Sequence, residues 1–129
     1  DPGKRKVTSR IAERRGWCME INCRLADGIL VAAVHGRVDE ASWQQFAQRM
    51  SEAIEQAAAG KQSEVMLDLT HLDYMSSRGL RVLTMAKKQA EASGISITLA
   101  APNEIMREIL AISRYDRLFH VSDTVDTGR

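Results

Sequence analysis

A run of apolar residues near the middle of the chain constrains the fold more than any other feature. Residues 64–69 contain three consecutive apolar side chains, Val65, Met66 and Leu67, instead of the alternation that is typical of a strand with one wet face. A strand of this kind is buried on both faces, and such strands usually pair in parallel and are connected by helices. The sequence therefore predicts a mostly parallel central sheet with helices packed on it.

The segments on either side of this strand extend the same pattern. Residues 20–25 and 29–34 are predicted to be strands joined by a tight turn at Asp27 and Gly28, which makes an N-terminal hairpin. We expect residues 35–39 to break the second strand, and we predict no regular structure after residue 121. The other predicted elements are strands at residues 95–100 and 118–121 and helices at residues 41–58, 80–92 and 103–112. This alternation predicts an α/β fold in a single domain.

Helical spacing of apolar residues predicts which side chains the three helices bury. The expected core positions are Trp43, Phe46, Met50, Ile54 and Ala58 in the first helix, Leu80, Val82, Leu83, Met85, Ala86 and Ala90 in the second, and Ile105, Met106, Ile109 and Leu110 in the third. Aromatic residues make up only 5% of the chain while hydrophobic residues make up 44%, so the predicted core is largely aliphatic.

Charge is distributed unevenly along the 129 residues. Residues 1–17 carry six basic and two acidic side chains, a net charge of +4, and the remainder carries −3. A basic segment can indicate contact with nucleic acid or a membrane, but this one has no interleaved aromatic residues and no basic stripe follows it. We therefore expect residues 1–18 to be a flexible segment or partly an expression remnant, residues 19–126 to be the folded domain, and the protein neither to bind nucleic acid nor to insert into a membrane.

The cysteines and histidines suggest no catalytic or metal chemistry. Cys18 and Cys23 could form a redox pair. The sequence shows no secretory leader and no apolar run of about 18 residues, so we expect the protein to be cytoplasmic. In that reducing compartment the alternative to a redox pair is two free, partly buried thiols. His35, His71 and His120 are dispersed along the sequence, without the clustered spacing of metal ligands. We expect no metal site and no cofactor.

The junction at residues 68–80 carries the most specific functional signal. There an apolar strand ends, Ser76 and Ser77 follow each other, and a helix begins. Helix starts have unpaired N–H groups and a partial positive charge, which suit either a serine cap or an added phosphate. The two serines are therefore either capping residues or the acceptor of a phosphate that acts as a charge switch.

The order of these motifs resembles the STAS domain, and within it the anti-sigma factor antagonists of bacterial partner-switching systems. Gly-Arg-Val-Asp at residues 36–39 resembles the family's Gly-x-Leu-Asp, and Leu-Asp-Leu-Thr at residues 67–70 resembles its Leu-Asp-Leu-Ser strand. Tyr-Met-Ser-Ser-Arg-Gly-Leu at residues 74–80 resembles the family's Asp-Ser-x-Gly-Leu loop, and Ala-Ala-Pro at residues 100–102 also fits. The resemblance covers residues 19–126.

The resemblance implies a function and a set of site residues. Counting back from Gly79 makes Ser77 the phosphorylated serine, with Ser76 as a second candidate because it stands where most members carry Asp. The resemblance further implies that the unmodified domain binds an anti-sigma serine kinase of the histidine-kinase-like ATPase type. Phosphorylation is then expected to end this binding, and a PP2C-type phosphatase to restore it. The residues expected to contact the kinase are Gly36, Arg37, Asp39, Tyr74, Met75, Ser76, Arg78 and Gly79.

Other functions fit the sequence less well. A hydrolase with Ser77 as nucleophile and His71 as base would lack the Gly-x-Ser-x-Gly elbow. A receiver domain with Asp68 as acceptor would need an acidic pair after an earlier strand and a lysine after a later one, and the sequence has neither. We therefore predict that the protein is not an enzyme. The alternative that stays open is a STAS subunit that is never phosphorylated and serves a transporter ATPase or a larger signalling assembly.

Overall fold

The N-terminal part of the fold is an antiparallel hairpin. The structure, a computed structural model, describes residues 19–125. Strands β1 (Met19–Ala26) and β2 (Ile29–Val38) pair in register from Met19 opposite Gly36 to Ala26 opposite Ile29. Asp27 and Gly28 between them have φ angles of 53° and 81°, the two positive values that a two-residue hairpin turn with the correct twist requires. The predicted hairpin is present.

The central sheet is mixed and mostly parallel. Strands β3 (Glu64–Asp68), β5 (Ser96–Ala100) and β6 (His120–Ser122) extend the hairpin in the order β1-β2-β3-β5-β6, and every pair after the first is parallel. Strand β3 lies in the middle of the sheet, and its residues Val65, Met66 and Leu67 are all buried. The prediction drawn from this apolar run is confirmed.

The helices pack against one face of the sheet. Helices α1 (Trp43–Ala59), α2 (Ser77–Ala92) and α3 (Glu104–Ser113) share one hydrophobic cluster with alternate strand residues such as Leu30, and a short helix α4 (Tyr115–Leu118) follows α3. The opposite strand positions form a separate cluster that contains Ile29, Val31, Met66 and Ala100. Within residues 19–125 no helix is long and apolar enough to cross a membrane.

Three predicted core positions are wrong. In α1 the last buried position is Ala57 and not the predicted Ala58, which is exposed. Met85 is 65% exposed and Ile105 is 55% exposed, because each lies at the edge of its helix's apolar stripe and faces away from the sheet. The neighbouring predicted positions of α2 and α3, including Leu83 and Met106, are buried as expected.

The chain after β3 contains a strand that the sequence pattern did not reveal. Strand β4 (Leu72–Met75) pairs in parallel with the end of β2, where Arg37 lies opposite Tyr74 and Val38 opposite Met75. Strand β2 therefore continues to Val38, with a shift in its register against β4 between Gly36 and Arg37, and the predicted break at residues 35–39 is wrong. The reason is that the extra length of β2 is stabilised by hydrogen bonds to β4, which local sequence cannot indicate.

The remaining differences concern helix and strand ends. Helix α2 begins at Ser77, three residues before the predicted start, because Ser76 is its capping residue. Helix α4 was not predicted, and the last strand is at His120–Ser122 instead of 118–121. The predictions made for residues 1–18 and 126–129 lie outside the described part of the chain.

Candidate functional site

Two motifs that are far apart in sequence meet where β2 and β4 end. The backbone N–H of Ser76 donates to the carbonyl oxygen of Val38 at 2.8 Å, which continues the parallel pairing of β4 with β2 up to the start of α2. Gly36-Arg37-Val38-Asp39 and the Ser-Ser-Arg-Gly segment therefore share one end of the sheet. Ligand and partner sites of α/β folds commonly lie at the carboxyl ends of parallel strands.

The two adjacent serines have different environments. Ser76 has extended backbone angles and is the N-cap of α2, and its half-buried hydroxyl accepts a hydrogen bond from the N–H of Gly79 at 3.4 Å. Ser77 is the first helical residue and is exposed, and no residue of the described chain makes a hydrogen bond to its hydroxyl. The capping role therefore belongs to Ser76, and the Ser77 hydroxyl faces solvent.

Gly79 allows the first turn of α2 to lie close to the strands. A Cβ atom at this buried position would come within 2.5 Å of Met75 Cγ and 2.7 Å of Val38 Cγ1, distances that real Cβ atoms do not show. Met75 itself is 1% exposed. Two of the residues expected to contact a partner, Met75 and Gly79, therefore support the site from beneath and present no side chain at its surface.

A compact turn at Asp39 connects β2 to α1. The Asp39 carboxylate accepts a hydrogen bond from the Ala41 N–H at 3.0 Å, and the Asp39 carbonyl oxygen accepts from the N–H groups of Ser42 and Trp43. The hydroxyl of Ser42, which is 2% exposed, accepts from the Asp39 N–H at 3.0 Å and donates to the Arg37 carbonyl oxygen at 2.7 Å. The N-cap of α1 is Ser42, and Asp39 begins the turn before it.

The charge state of Asp39 follows from these contacts. Desolvation is the largest single influence and acts to raise the pKa of Asp39, but the hydrogen bonds from the Ala41 N–H, the Ser42 hydroxyl and Arg37, together with the charge of Arg37, outweigh it. They hold this pKa below the ordinary 3.8. Arg37 Nε lies 3.5 Å from Asp39 Oδ2. Asp39 is therefore a stable carboxylate at the surface of the site.

Two arginines flank the serines and each lies over an aromatic ring. The guanidinium of Arg37 is 5.1 Å from the centre of the Tyr74 ring, and that of Arg78 is 5.2 Å from the Trp43 ring. Arg78 Nε also pairs with Glu40 Oε1 at 3.1 Å. Cation–π contacts of this kind contribute about 0.5–1 kcal/mol at exposed positions and orient the planar guanidinium groups.

The structure therefore brings the sequence-predicted site residues together, although not all of them are accessible. Arg37, Ser77 and Arg78 are exposed, while Gly36, Asp39, Tyr74 and Ser76 are partly exposed. Sequence reasoning missed Glu40, Ser42, Trp43 and Arg81, which lie beside them. The signal for Arg81 was its position four residues after Ser77, which places both on one face of the helix.

The other reactive side chains lie apart from this site. Cys23 on β1 is exposed and free, unlike the partly buried thiol that was expected. Its thiol still loses part of its hydration to surrounding atoms, and this desolvation raises its pKa, although the positive charge of Arg49 acts to lower it. Cys18 lies outside the described residues. The rings of His35 and His71 stack with their centres 5.0 Å apart, although the two residues are distant in sequence. Residues 19–125 contain no cluster of three or more potential metal ligands.

Comparison with known sequences identifies the family. The STAS domain model matches residues 20–128. The chain is 29% identical over 106 residues to BtrV of Bordetella bronchiseptica, which is named as a candidate anti-sigma factor antagonist, and the match covers 82% of this chain and 88% of that protein. It is 33% identical over 98 residues to a STAS-domain-containing protein of Pseudomonas aeruginosa, covering 75% of this chain and 92% of the relative.

Solved structures share the fold at low identity. An anti-sigma factor antagonist from Mycobacterium paratuberculosis superposes with a TM-score of 0.73 at 18% identity, covering 84% of this chain and 89% of that one. The phosphorylated form of the Bacillus cell fate determinant SpoIIAA gives 0.57 at 19% identity, covering 81% and 90%. A sulfate transporter family protein from Wolinella succinogenes gives 0.66 at 13% identity, covering 80% and 83%. At these identities the similarity establishes the fold alone.

The sequence match and the fold agree with each other and with the motifs at residues 36–39, 67–70 and 74–80. The family model spans the hairpin, the parallel sheet and all four described helices. The predicted resemblance is confirmed, and the chain belongs to the STAS domain family.

Proposed function

We propose that this protein is an anti-sigma factor antagonist whose unmodified form binds an anti-sigma serine kinase and whose phosphorylation at Ser77 ends that binding. The observation that carries the proposal is the contrast between the two serines: Ser76 caps α2, whereas Ser77 presents an exposed hydroxyl without a hydrogen bond from residues 19–125. The similarity to BtrV, named as a candidate anti-sigma factor antagonist, supports the same function.

The position of Ser77 is compatible with a phosphate in the folded protein. As the first residue of α2, Ser77 lies at the positive end of the helix dipole, where added negative charge stabilises a helix by about 0.3–1 kcal/mol. The side chain points away from the core, so a phosphate would not require repacking of Met75 or Leu80. Phosphorylation would therefore change the surface and leave the fold intact.

Release of the kinase would follow from the charge of the phosphate. A phosphoserine carries about −1.5 to −2 charges at neutral pH together with a hydration shell. A partner surface that fits a neutral serine would have to desolvate this group without new hydrogen bonds, and each 1.4 kcal/mol of such a cost weakens binding about tenfold. The unmodified domain would then compete with the sigma factor for the kinase, and the phosphorylated domain would not.

The residues around Ser77 have distinct roles in this proposal. Arg37 and Arg78 are exposed and oriented by Tyr74 and Trp43, so they are the cations available to a partner carboxylate. Asp39 contributes a fixed negative charge beside Arg37. A PP2C-type phosphatase would return Ser77 to its binding form. We propose no enzymatic activity for the domain.

Phosphorylation by the cognate anti-sigma kinase tests the site. The chain and its Ser76→Ala and Ser77→Ala variants are incubated with the kinase and ATP, and the phosphate is mapped by mass spectrometry. We expect phosphate on the wild type and on Ser76→Ala, and none on Ser77→Ala. Ser96→Ala, which removes another exposed serine at the start of β5, is the matched control and should be phosphorylated like the wild type.

Three results would contradict the proposal. Phosphate that persists in Ser77→Ala but disappears in Ser76→Ala would move the switch to Ser76. Kinase affinity that is unchanged by phosphorylation of Ser77 would exclude charge-based release. A domain that neither binds nor accepts phosphate from an anti-sigma kinase would instead favour the alternative of a STAS subunit in a transporter or a larger signalling assembly.

A further inference from the structure

A groove between α1 and α2 begins beside Ser77 and continues along α2. Its volume is about 560 Å³, and it is lined by Trp43, Ser77, Arg78, Arg81, Val82 and Met85. The apolar part consists of Trp43, Val82 and Met85, and the Met85 side chain is 65% exposed. The core of α2, formed by residues such as Leu83 and Ala86, is buried elsewhere, so the exposed Met85 is not needed to stabilise the described fold.

The charged part of the groove is basic. Arg81 is exposed, and none of the acidic side chains in the described chain forms an ion pair with it. Arg78 pairs with Glu40, but the two side chains are 55% and 73% exposed. Exposed pairs contribute only about 0–1 kcal/mol, so a carboxylate from a partner could replace Glu40 at little cost. Two arginines against one glutamate leave the groove with a positive charge.

We infer that this groove binds a segment of the anti-sigma kinase that carries an apolar side chain flanked by carboxylates. The apolar side chain packs between Trp43 and Met85, and the carboxylates pair with Arg78 and Arg81. Tryptophan, methionine and arginine are enriched at protein interfaces, and the positive charge of the groove selects an acidic partner. This inference rests on the proposed function and extends the kinase-binding surface beyond the residues predicted from sequence.

The arginines of the groove also suggest how a phosphate on Ser77 would release the kinase. Arg81 is four residues after Ser77 and therefore lies one helical turn away on the same face, and Arg78 is adjacent in sequence. A phosphate on Ser77 would compete with the partner's carboxylates for these two guanidinium groups and would repel the carboxylates directly. Release of the kinase would then result from competition within the groove as well as from the cost of desolvating the phosphate.

Binding measurements with variants of the groove test the inference. Affinity for the anti-sigma kinase in the presence of ADP is measured by calorimetry for the full chain and for Arg81→Glu and Met85→Asp. We expect each variant to bind at least about tenfold more weakly, because a repelled carboxylate or a lost apolar contact of 1.4 kcal/mol has this effect. Arg117→Glu on α4 and Ile112→Asp on α3, where Ile112 is 82% exposed, are matched controls and should bind like the wild type.

Methionine methyl resonances report on the groove directly. With ¹³C-methyl labelling we expect kinase binding to shift the Met85 signal, and phosphorylation of Ser77 to abolish that kinase-induced shift. If Arg81→Glu and Met85→Asp bind the kinase with normal affinity, the inference that this groove binds the kinase is wrong, while the proposed function is unaffected. Absence of any kinase binding by the wild type would overturn both. A Met85 shift that depends on protein concentration without kinase would assign the groove to a second copy of this chain and would also overturn the inference.

Discussion

The N–H group of Ser76 donates a hydrogen bond to the carbonyl oxygen of Val38, 2.8 Å away, and this contact joins the two halves of the candidate site. Val38 is the last residue of β2, and Ser76 directly precedes α2. The bond therefore holds the start of α2 at the end of the sheet. The position of Ser77 relative to Arg37 and Asp39 depends on it.

Replacing Gly79 by alanine should destabilise the domain. Alanine is favoured over glycine in a helix by up to about 1 kcal/mol, so any net loss reports the clash of Cβ with Met75 and Val38. We expect a loss of about 1–3 kcal/mol, which corresponds to a fall in Tm of roughly 4 °C per kcal/mol for a domain of this size. Thermal unfolding followed by circular dichroism measures it.

The control for this substitution is Gly60→Ala at the end of α1. There an added Cβ would meet the flexible Gln62 side chain at 3.2 Å, and the φ angle of −87° suits alanine. Its unfolding free energy should stay within about 0.5 kcal/mol of the wild type. An equally stable Gly79→Ala variant would show that α2 can move away from the strands without cost.

Asn103 should contribute to stability through both the oxygen and the nitrogen atom of its side-chain amide. Its Oδ1 accepts from the Met106 N–H at 2.8 Å as the cap of α3, and its Nδ2 donates to the Leu72 carbonyl oxygen at 2.9 Å and so links α3 to β4. Asn103→Ala should cost about 1–3 kcal/mol, since both contacts are lost. Asn103→Ser keeps a capping acceptor without placing an oxygen atom against the Leu72 carbonyl, and it should lie between Asn103→Ala and the wild type in urea unfolding. An Asn103→Ser variant as stable as the wild type would mean that the bond to Leu72 contributes nothing.

Asp39 should make the stability of the domain depend on pH. Its pKa in the folded protein is below 3.8, so the folded chain binds this proton less tightly than the unfolded chain does. The stabilisation is therefore complete above the unfolded value and is lost as the pH falls through the folded value. Compared with Asp39→Asn, the wild type should be more stable at neutral pH, and the difference should shrink in acid. Stability profiles of the wild type and Asp39→Asn that stay parallel from neutral to acidic pH would contradict this prediction.

The two serines should have different roles, with Ser76 contributing to stability and Ser77 accepting the phosphate. Ser76→Ala removes the acceptor for the Gly79 N–H, and because this bond is long at 3.4 Å we expect a loss of about 0.5–1 kcal/mol. Ser77→Ala removes an exposed hydroxyl at the first helical position and should change the unfolding free energy by less than about 0.5 kcal/mol. Chemical unfolding of both variants measures this. A larger loss for Ser77→Ala than for Ser76→Ala would reverse their structural roles.

Part of the candidate site could be predicted from local sequence. The serine pair before a helical pattern predicts a helix start, and the spacing from Gly79 points to Ser77. Sequence could not indicate which serine is the cap, because that depends on the backbone angles of Ser76 at the end of β4. It also could not reveal the contact of Arg78 with Trp43, which lies 35 positions earlier in the chain and is brought near by the packing of α1 beside α2.

The sequence by itself determined the elements whose signal is local. The hairpin follows from the positive φ angles that Asp27 and Gly28 accept, and the buried strand β3 follows from three consecutive apolar residues. Only the tertiary structure decided that β4, four residues long, pairs with the end of β2. Such a short strand has too few residues to display a periodic pattern. Its stability comes from backbone pairing with Arg37 and Val38, which are distant in the chain, and from the burial of Leu72 and Met75. This pairing is what places Ser77 beside Asp39.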